Sequence, residues 1–390
     1  MAVPGGVTEV RPNPAFLLKH PTKPVMYAST ECIHAEGCGE VLTLAIGPGG
    51  ALTEVGRTGA GGRSTCYLAL DGTKSWLCAV NYWDAIVAVL PVGEGDGRVG
   101  AVAAAHMQPG ASYVFESSPD RNEHWTHRQR WPHTHCFVSE PYSGAARVHL
   151  VPDLGRDVVW AYALCPRSGA PTLLAGARLQ RRQGPRHLVF HPRQRTCYLI
   201  NELKSTVSVL HFHADRLKVA LAALEGAACG SAEGTAEEAG AWDENVLDAA
   251  RDADRCFLTL VATHRTLPAG FESDDHHRSH ASEIRLHPTG SFLLVANRGH
   301  DSLACFAVDS SDAGRGGLRL VGVTPSGGHF PRNFNFSACG RFVVVGNQNS
   351  NTLNSFRFDL SSGALTAVDV AHQPSPNFVY ALPAVDDEAA

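Results

Sequence analysis

Five positions in this chain carry residue types that could between them move a proton and hold an anion. His135 closes Pro132-His133-Thr134-His135, Arg186 lies in Gly184-Pro185-Arg186-His187, and Glu202 and Arg298 each follow an asparagine (Asn201, Asn297). Arg332 sits in Pro331-Arg332-Asn333. An imidazole near its ordinary pKa of about 6.5 can accept or return a proton at neutral pH. Arginine is always charged and presents a planar fork of donors, which suits a carboxylate, a phosphate or the oxyanion of a tetrahedral intermediate. A carboxylate such as Glu202 can orient either group or favour the imidazolium. Each residue also has a plainer reading. His135 could be satisfied by backbone, Arg186 could cap a turn after Gly-Pro, Glu202 could only pair with Arg186, and Arg298 could bridge neighbouring elements. His187, one step from Arg186, would face the opposite side of a strand and reads as structural.

Metal chemistry is the competing use of the histidines, of which there are 20. Asp274-Asp275-His276-His277-Arg278-Ser279-His280 has the composition of a ligand set, and His124 and His127 precede His133 and His135. There is no His-Glu-x-x-His and no regular Cys/His spacing, so these read as surface clusters, with no metal and no cofactor expected. No G-x-S-x-G elbow, P-loop or strand-coupled dinucleotide fingerprint is present either. The 11 cysteines are scattered singly, without Cys-x-x-Cys, and several lie in apolar strand-like runs. They read as buried free thiols of a reducing compartment.

The elements that must position these residues are strands, because the chain repeats. Each unit has an apolar strand, a His-Pro or Asp-Gly type of turn, and a second strand ending in a polar residue. Those ends fall at positions 30, 81, 153, 201, 297 and 347, in steps of 51, 72, 48, 96 and 50. A base period near 50 with several short strands per unit is the pattern of propeller blades. The fold class is therefore all-β, a single propeller domain over residues 7–385. The long steps carry insertions read as loops, at about 107–131 (rich in His, Arg and Trp) and about 221–254 (rich in Ala, Gly and acid).

Eight segments resemble the propeller-type lactonase family, which includes one class of 6-phosphogluconolactonases and the fungal carboxymuconate-cyclising enzymes. They are Asn81-Tyr82, Pro132–His135, Val151–Asp157, Gly184–Pro192, Asn201–Leu203, Ala281–Ile284, Ala296–Gly299 and Pro331–Phe334, in family order and spanning about Pro12 to Leu382. The resemblance implies a seven-bladed propeller. It also implies a site at one end of the central channel lined by His135, Arg186, Glu202 and Arg298, with Arg332 as a neighbour. On that reading His135 is the general base or acid, Arg186 and Arg298 hold the anionic substrate and the oxyanion, and Glu202 orients one of them. Arg332, Arg285, residues of the 121–130 segment and Asn81 are substrate-binding candidates, although Asn81 and Asn201 equally suit strand ends. Only six repeats are legible. The chain is expected either to have six blades or to have a partial first blade, with Val7–Tyr27 entering the second and a C-terminal strand at Asn377–Leu382 assisting the first.

Composition bounds the partners. The formal net charge is −5, whereas phosphate-backbone binding needs a dense basic face, so nucleic acid is not expected. No apolar run approaches the ~20 residues of a membrane span, and Met1–Arg11 lacks the basic start and apolar stretch of a signal peptide. A cytoplasmic monomer or weak oligomer acting on a small anionic lactone is expected, within carbohydrate metabolism and the pentose phosphate pathway. A carboxymuconate-type cycloisomerase would need the same residues. A non-catalytic interaction scaffold is the alternative from another class, disfavoured because a scaffold has no need of those charges in one channel.

Overall fold

The computed structural model describes residues 6–10, 13–32, 37–108, 128–142, 148–218, 221, 256–271, 278–309 and 316–382. Among them are six four-stranded antiparallel sheets, each in chain order. The first holds β1 (Pro14–Lys19), β2 (Val25–Thr30), β3 (Glu40–Ile46) and β4 (Leu52–Gly59). The second holds β5 (Thr65–Leu70), β6 (Trp76–Asn81), β7 (Ile86–Pro91) and β8 (Ala104–Met107). The third holds β9 (Val138–Ser139), β10 (Val148–Asp153), β11 (Val158–Leu164) and β12 (Pro171–Arg178). The fourth holds β13 (Pro185–Phe190), β14 (Thr196–Asn201), β15 (Thr206–Phe212) and β16 (Leu258–Arg265). The fifth holds β17 (His280–Leu286), β18 (Phe292–Arg298), β19 (Ser302–Asp309) and β20 (Gly317–Pro325). The sixth holds β21 (Pro331–Phe336), β22 (Phe342–Asn347), β23 (Thr352–Phe358) and β24 (Leu365–His372). These are propeller blades.

The first sheet is complete and no strand forms at residues 377–382, so of the two expectations the described residues fit six blades and not a partial first blade with a C-terminal helper strand. The strand pattern in Val7–Tyr27 belongs to β1 and the start of β2. Both insertions fall largely outside the described residues, as do Asp274–His277, His124 and His127.

The chain divides into two compact units, one from His187–His211 and Leu260–Ala390, the other from Pro4–Arg186 and Phe212–Thr259. In the unit containing the first three blades, Val80, Tyr82, Val87 and Val89 pack with Phe137, Val151, Trp160 and Tyr162. In the other, Tyr198, Ile200 and Val209 pack with Leu293, Val295 and Phe306, and Phe292 and Leu294 with Phe334, Phe336 and Phe358. Strands β2, β10, β14 and β18 are buried along their whole length. That burial explains their near-continuous apolar runs in place of alternation.

Each polar residue that marked the repeat ends the second strand of its blade, and the reason is hydrogen bonding. Asn297 donates to the Thr266 carbonyl at 2.9 Å and accepts from the Thr266 hydroxyl at 2.6 Å. Asn347 donates to the Ser326 carbonyl at 3.2 Å and to Asn354 Oδ1 at 3.0 Å. Each ties its strand to the backbone that leaves the preceding blade, where a buried carbonyl would otherwise lack a donor. Asn297→Ala is expected to destabilise the protein by about 1–3 kcal/mol, since the Thr266 carbonyl loses a buried donor while the Thr266 hydroxyl keeps the Ser205 carbonyl. A urea midpoint unchanged from wild type would refute this.

A second regularity lies in the first strands. Pairing shifts register between Pro14 and Phe16, Thr65 and Tyr67, Ala281 and Glu283, and Pro331 and Asn333, opposite the ends of β2, β6, β18 and β22. The residue left over at each bulge is Ala15, Cys66, Ser282 or Arg332. In the third blade Thr134 bridges Asp153 in the same way, which makes His135 the equivalent residue. Arg186 holds the same place after Pro185 at the start of β13. Bulges re-aim a side chain away from the pleat, so this slot suits functional groups.

Candidate active site

Within the unit of the first three blades, His135 is the centre of a compact aromatic and sulfur cluster. Its backbone N–H donates to the Pro152 carbonyl at 3.2 Å, and its ring is buried. The Tyr82 ring meets His135 edge-on at 5.4 Å and stacks on His133 at 4.6 Å. His133 Nδ1 lies 3.2 Å from the Tyr82 carbonyl, and its N–H donates to Asp153 Oδ1 at 2.8 Å. Arg128 Nε donates to the Tyr82 hydroxyl at 3.2 Å. The sulfur of Cys66 lies 3.7 Å from His135 Nδ1. Arg186 is buried at the bulge slot of the fourth blade, in the same unit by sequence.

Asp153 holds this cluster in register. Its carboxylate accepts from the N–H groups of His133, Gly155 and Arg156 and from Trp160 Nε1 at 3.3 Å. Complete burial nevertheless dominates these bonds and raises its pKa to about 6.

Within the other unit, Glu202 and Arg298 form a buried ion pair at 3.1 Å. Arg298 also reaches the Ala281 carbonyl at 3.4 Å, and its guanidinium lies over the Phe330 ring at 5.3 Å. Asp301 supports that arrangement, because one of its carboxylate oxygens accepts both the Phe330 N–H at 2.8 Å and the Gly299 N–H at 3.1 Å. Gly299 has φ +92°, and a Cβ there would run into the Arg278 carbonyl oxygen. Only glycine can turn the chain immediately after Arg298. Such a pair presents a fixed, desolvated cation whose fork geometry is set by a carboxylate and an aromatic face.

A second buried carboxylate in this unit is Glu283. It accepts from Asn333 Nδ2, lies 3.1 Å from His187 Nδ1, and is 3.5 Å from Arg285. Arg285 lies over the Phe378 ring at 6.0 Å, and Asn333 Oδ1 accepts the Val379 N–H at 2.9 Å. Residues 187, 283 and 333 each follow a bulge slot, so this network links three successive blades.

Of the substrate-binding candidates, Asn81 departs from expectation. It is completely buried, accepts from the Thr65 hydroxyl at 2.7 Å and donates to the Ala60 carbonyl at 2.9 Å. Its amide is committed to the strand end. Arg332 stands at a bulge slot and is half-buried.

A model of the lactonase family of seven-bladed β-propellers matches residues 4–241 and 242–381. The chain belongs to that family. It is 27% identical over 363 residues to a 6-phosphogluconolactonase of Bacillus subtilis, covering 91% of this chain and 82% of that protein. A 6-phosphogluconolactonase of Formosa agariphila is 26% identical over 359 residues, covering 90% and 83%. The periplasmic gluconolactonase PpgL of Pseudomonas aeruginosa superposes with a TM-score of 0.70 at 26% identity, over 93% of this chain and 86% of that one. This lactonase is thus a lactone-hydrolysing propeller. The family is described with seven blades, and the described residues of this lactonase hold six four-stranded sheets.

Among the described residues of the lactonase, no group of three or more His, Cys, Asp or Glu could hold a metal ion. No helix among them is long and apolar enough to cross a membrane. Among the described residues nine cysteines are free thiols, but Cys165 is disulfide-bonded, which departs from the all-thiol expectation.

Sequence reasoning missed Cys66 as a neighbour of His135 and read His187 without its partner Glu283. A usable signal existed. Residues 15, 66, 186, 282 and 332 each stand 15 positions before the polar end of their blade's second strand, and His135 stands 18 before Asp153. Aligning the repeats on those ends brings Arg186, Arg332 and Cys66 into one slot, and His135 joins them only through the Thr134–Asp153 bridge.

Proposed function

We propose that this lactonase hydrolyses 6-phosphogluconolactone, with His135 as the general base that deprotonates water. Arg186 and Arg298 hold the anionic substrate and the oxyanion formed as water adds to the ring carbonyl. Glu202 fixes the Arg298 guanidinium, and Arg332 and Arg285 supply further positive charge toward the phosphate. Collapse of the tetrahedral intermediate breaks the ring C–O bond, and the imidazolium returns its proton to the departing ring oxygen. No cofactor is required, because the reaction consumes only water.

The observation that carries this reading is the buried Glu202–Arg298 pair. A desolvated arginine held by a carboxylate is expensive to bury as scaffolding alone. It is what stabilising a developing oxyanion calls for. The two relatives named 6-phosphogluconolactonase support the phosphorylated substrate. The similarity to PpgL favours a second reading in which the unphosphorylated gluconolactone is preferred.

Hydrolysis of freshly generated 6-phosphogluconolactone should exceed the spontaneous rate. Arg186→Ala should abolish the excess while leaving the circular dichroism spectrum unchanged. Full activity in folded Arg186→Ala would remove Arg186 from the mechanism. A higher kcat/KM on gluconolactone would establish the second reading.

A further inference from the structure

We propose that Cys66 is a positioning residue for His135, holding the imidazole in the tautomer with its proton on Nδ1 and the lone pair on Nε2. The role rests on reading His135 as the base. Cys66 and His135 occupy the bulge slots of the second and third blades within one compact unit. Both are buried, and Cys66 Sγ lies 3.7 Å from His135 Nδ1.

The surroundings of the sulfur decide which atom carries the proton. The carbonyl oxygens of His135, Val80 and Thr134 stand 3.6, 3.7 and 4.0 Å from Sγ. A carbonyl only accepts, whereas a thiol has one S–H and a sulfur that accepts weakly. If the S–H pointed at Nδ1, the sulfur lone pairs would face three carbonyl oxygens. If the S–H instead donates to one of the carbonyls, the sulfur is left to accept Nδ1–H, and the thiol and the imidazole are each matched donor to acceptor. The second arrangement leaves Nε2 as the acceptor that a general base needs.

The same carbonyls argue against Cys66 as a nucleophile. A thiolate needs a nearby cation or N–H donors to form, and three carbonyl dipoles aimed at the sulfur oppose the negative charge. Cys66 therefore takes the place that a carboxylate holds in a Ser-His-Asp triad, but as a neutral orienter. It fixes the tautomer without the electrostatic stabilisation of the imidazolium that an anion would add.

The direct test is ¹⁵N NMR of histidine-labelled full-length protein, with the His135 signals assigned by their loss in His135→Gln. Wild type should show Nδ1 protonated and Nε2 bare. Cys66→Ala should shift the pair toward a tautomer mixture, and Cys66→Ser, whose hydroxyl can also donate to a carbonyl and accept from Nδ1, should restore the wild-type pattern. In hydrolysis, Cys66→Ala should lower kcat roughly three- to ten-fold, the worth of one ordinary hydrogen bond. KM should stay unchanged and Cys66→Ser should recover. A bare Nδ1 in wild type, or a tautomer unmoved by Cys66→Ala, would overturn the proposal. So would a thioester on Cys66 found by mass spectrometry after rapid quenching. Because the NMR readout needs no turnover, a correct tautomer in an enzyme indifferent to His135→Gln would overturn the base assignment and leave the Cys66–His135 contact standing.

Discussion

Arg298→Ala is expected to lower kcat/KM on the lactone by roughly two to three orders of magnitude, the usual effect of removing one oxyanion donor. It should also destabilise the fold by about 3–5 kcal/mol, because Glu202 is left buried without its cation. The two effects are separable. Glu202→Gln combined with Arg298→Met removes both charges and keeps the volume, so stability should largely return while activity does not. Arg298→Lys keeps the charge but loses the fork, and should retain only a small part of the rate. Phe330 offers its ring to either cation, so differences between arginine and lysine report on the directed donors of the planar guanidinium. Unfolding midpoints together with kcat/KM for the four proteins check the prediction. A double variant as unstable as Arg298→Ala would show that the loss comes from packing and not from the orphaned carboxylate.

The second large effect is on stability against pH. His149 is buried, stacks on Phe137 at 4.6 Å and is 3.0 Å from the Ser139 hydroxyl. Burial lowers its pKa to about 4. Above pH ~6.5 the ring is neutral folded or unfolded, and nothing is lost. As pH falls through 6.5 toward 4, only the unfolded chain takes up the proton, and folding loses about 3 kcal/mol. Asp153 acts with the opposite sign. Its pKa of about 6 lies above the unfolded value of 3.8, so the folded chain binds the proton first as pH falls, and stability rises by a similar amount. The two nearly cancel between pH 6.5 and 4.

The net acid response is then set mainly by the other histidines whose pKa burial lowers, His20, His106, His191, His264, His287 and His300, opposed by Asp157, whose pKa burial raises. Three of them, His20, His191 and His287, accept backbone N–H bonds at Nδ1 in the turn after a blade's first strand. Wild type should lose stability from pH 6.5 downward. His149→Phe should flatten that slope, and Asp153→Asn should steepen it by about 3 kcal/mol between pH 6 and 4. Urea midpoints at half-unit intervals of pH would show three parallel curves if this assignment were wrong.

Much of the architecture was legible because its markers are local. Asn81, Asn297 and Asn347 recur at strand ends because each donates to a backbone carbonyl there, Asn201 bonds the Thr206 and Ser208 hydroxyls from the same place, and a single sequence displays such a repeat directly. The same local need explains why Asn81 was placed at the substrate and was found in the blade's own hydrogen bonding. What stayed hidden depends on contacts between blades. Cys66 and His135 are 69 residues apart, and His187 and Glu283 are 96 apart. Neither pair leaves a spacing that a reader could recognise without knowing where the bulges fall. Glu202 read either as a salt-bridge partner of Arg186 or as the group orienting one of the site's residues, and the structure shows it in an ion pair with Arg298 at 3.1 Å. The sequence left six blades and a partial first blade both open, because β1 and β2 read equally well as the opening of a second one.

The bulge slot has an implication for how such a molecule could be altered. A side chain there lies outside the ladder that fixes strand register, so its chemistry can change without moving the hydrogen bonds that hold the blade. The slots presently occupied by Ala15 and Ser282 carry no charge, while those of Arg186 and Arg332 do. In engineering terms these are interchangeable sockets on a fixed frame. Ser282 shows the limit of that freedom: it is fully buried and its hydroxyl donates to the Pro331 carbonyl at 2.6 Å, so a charge installed there would need a buried partner of its own.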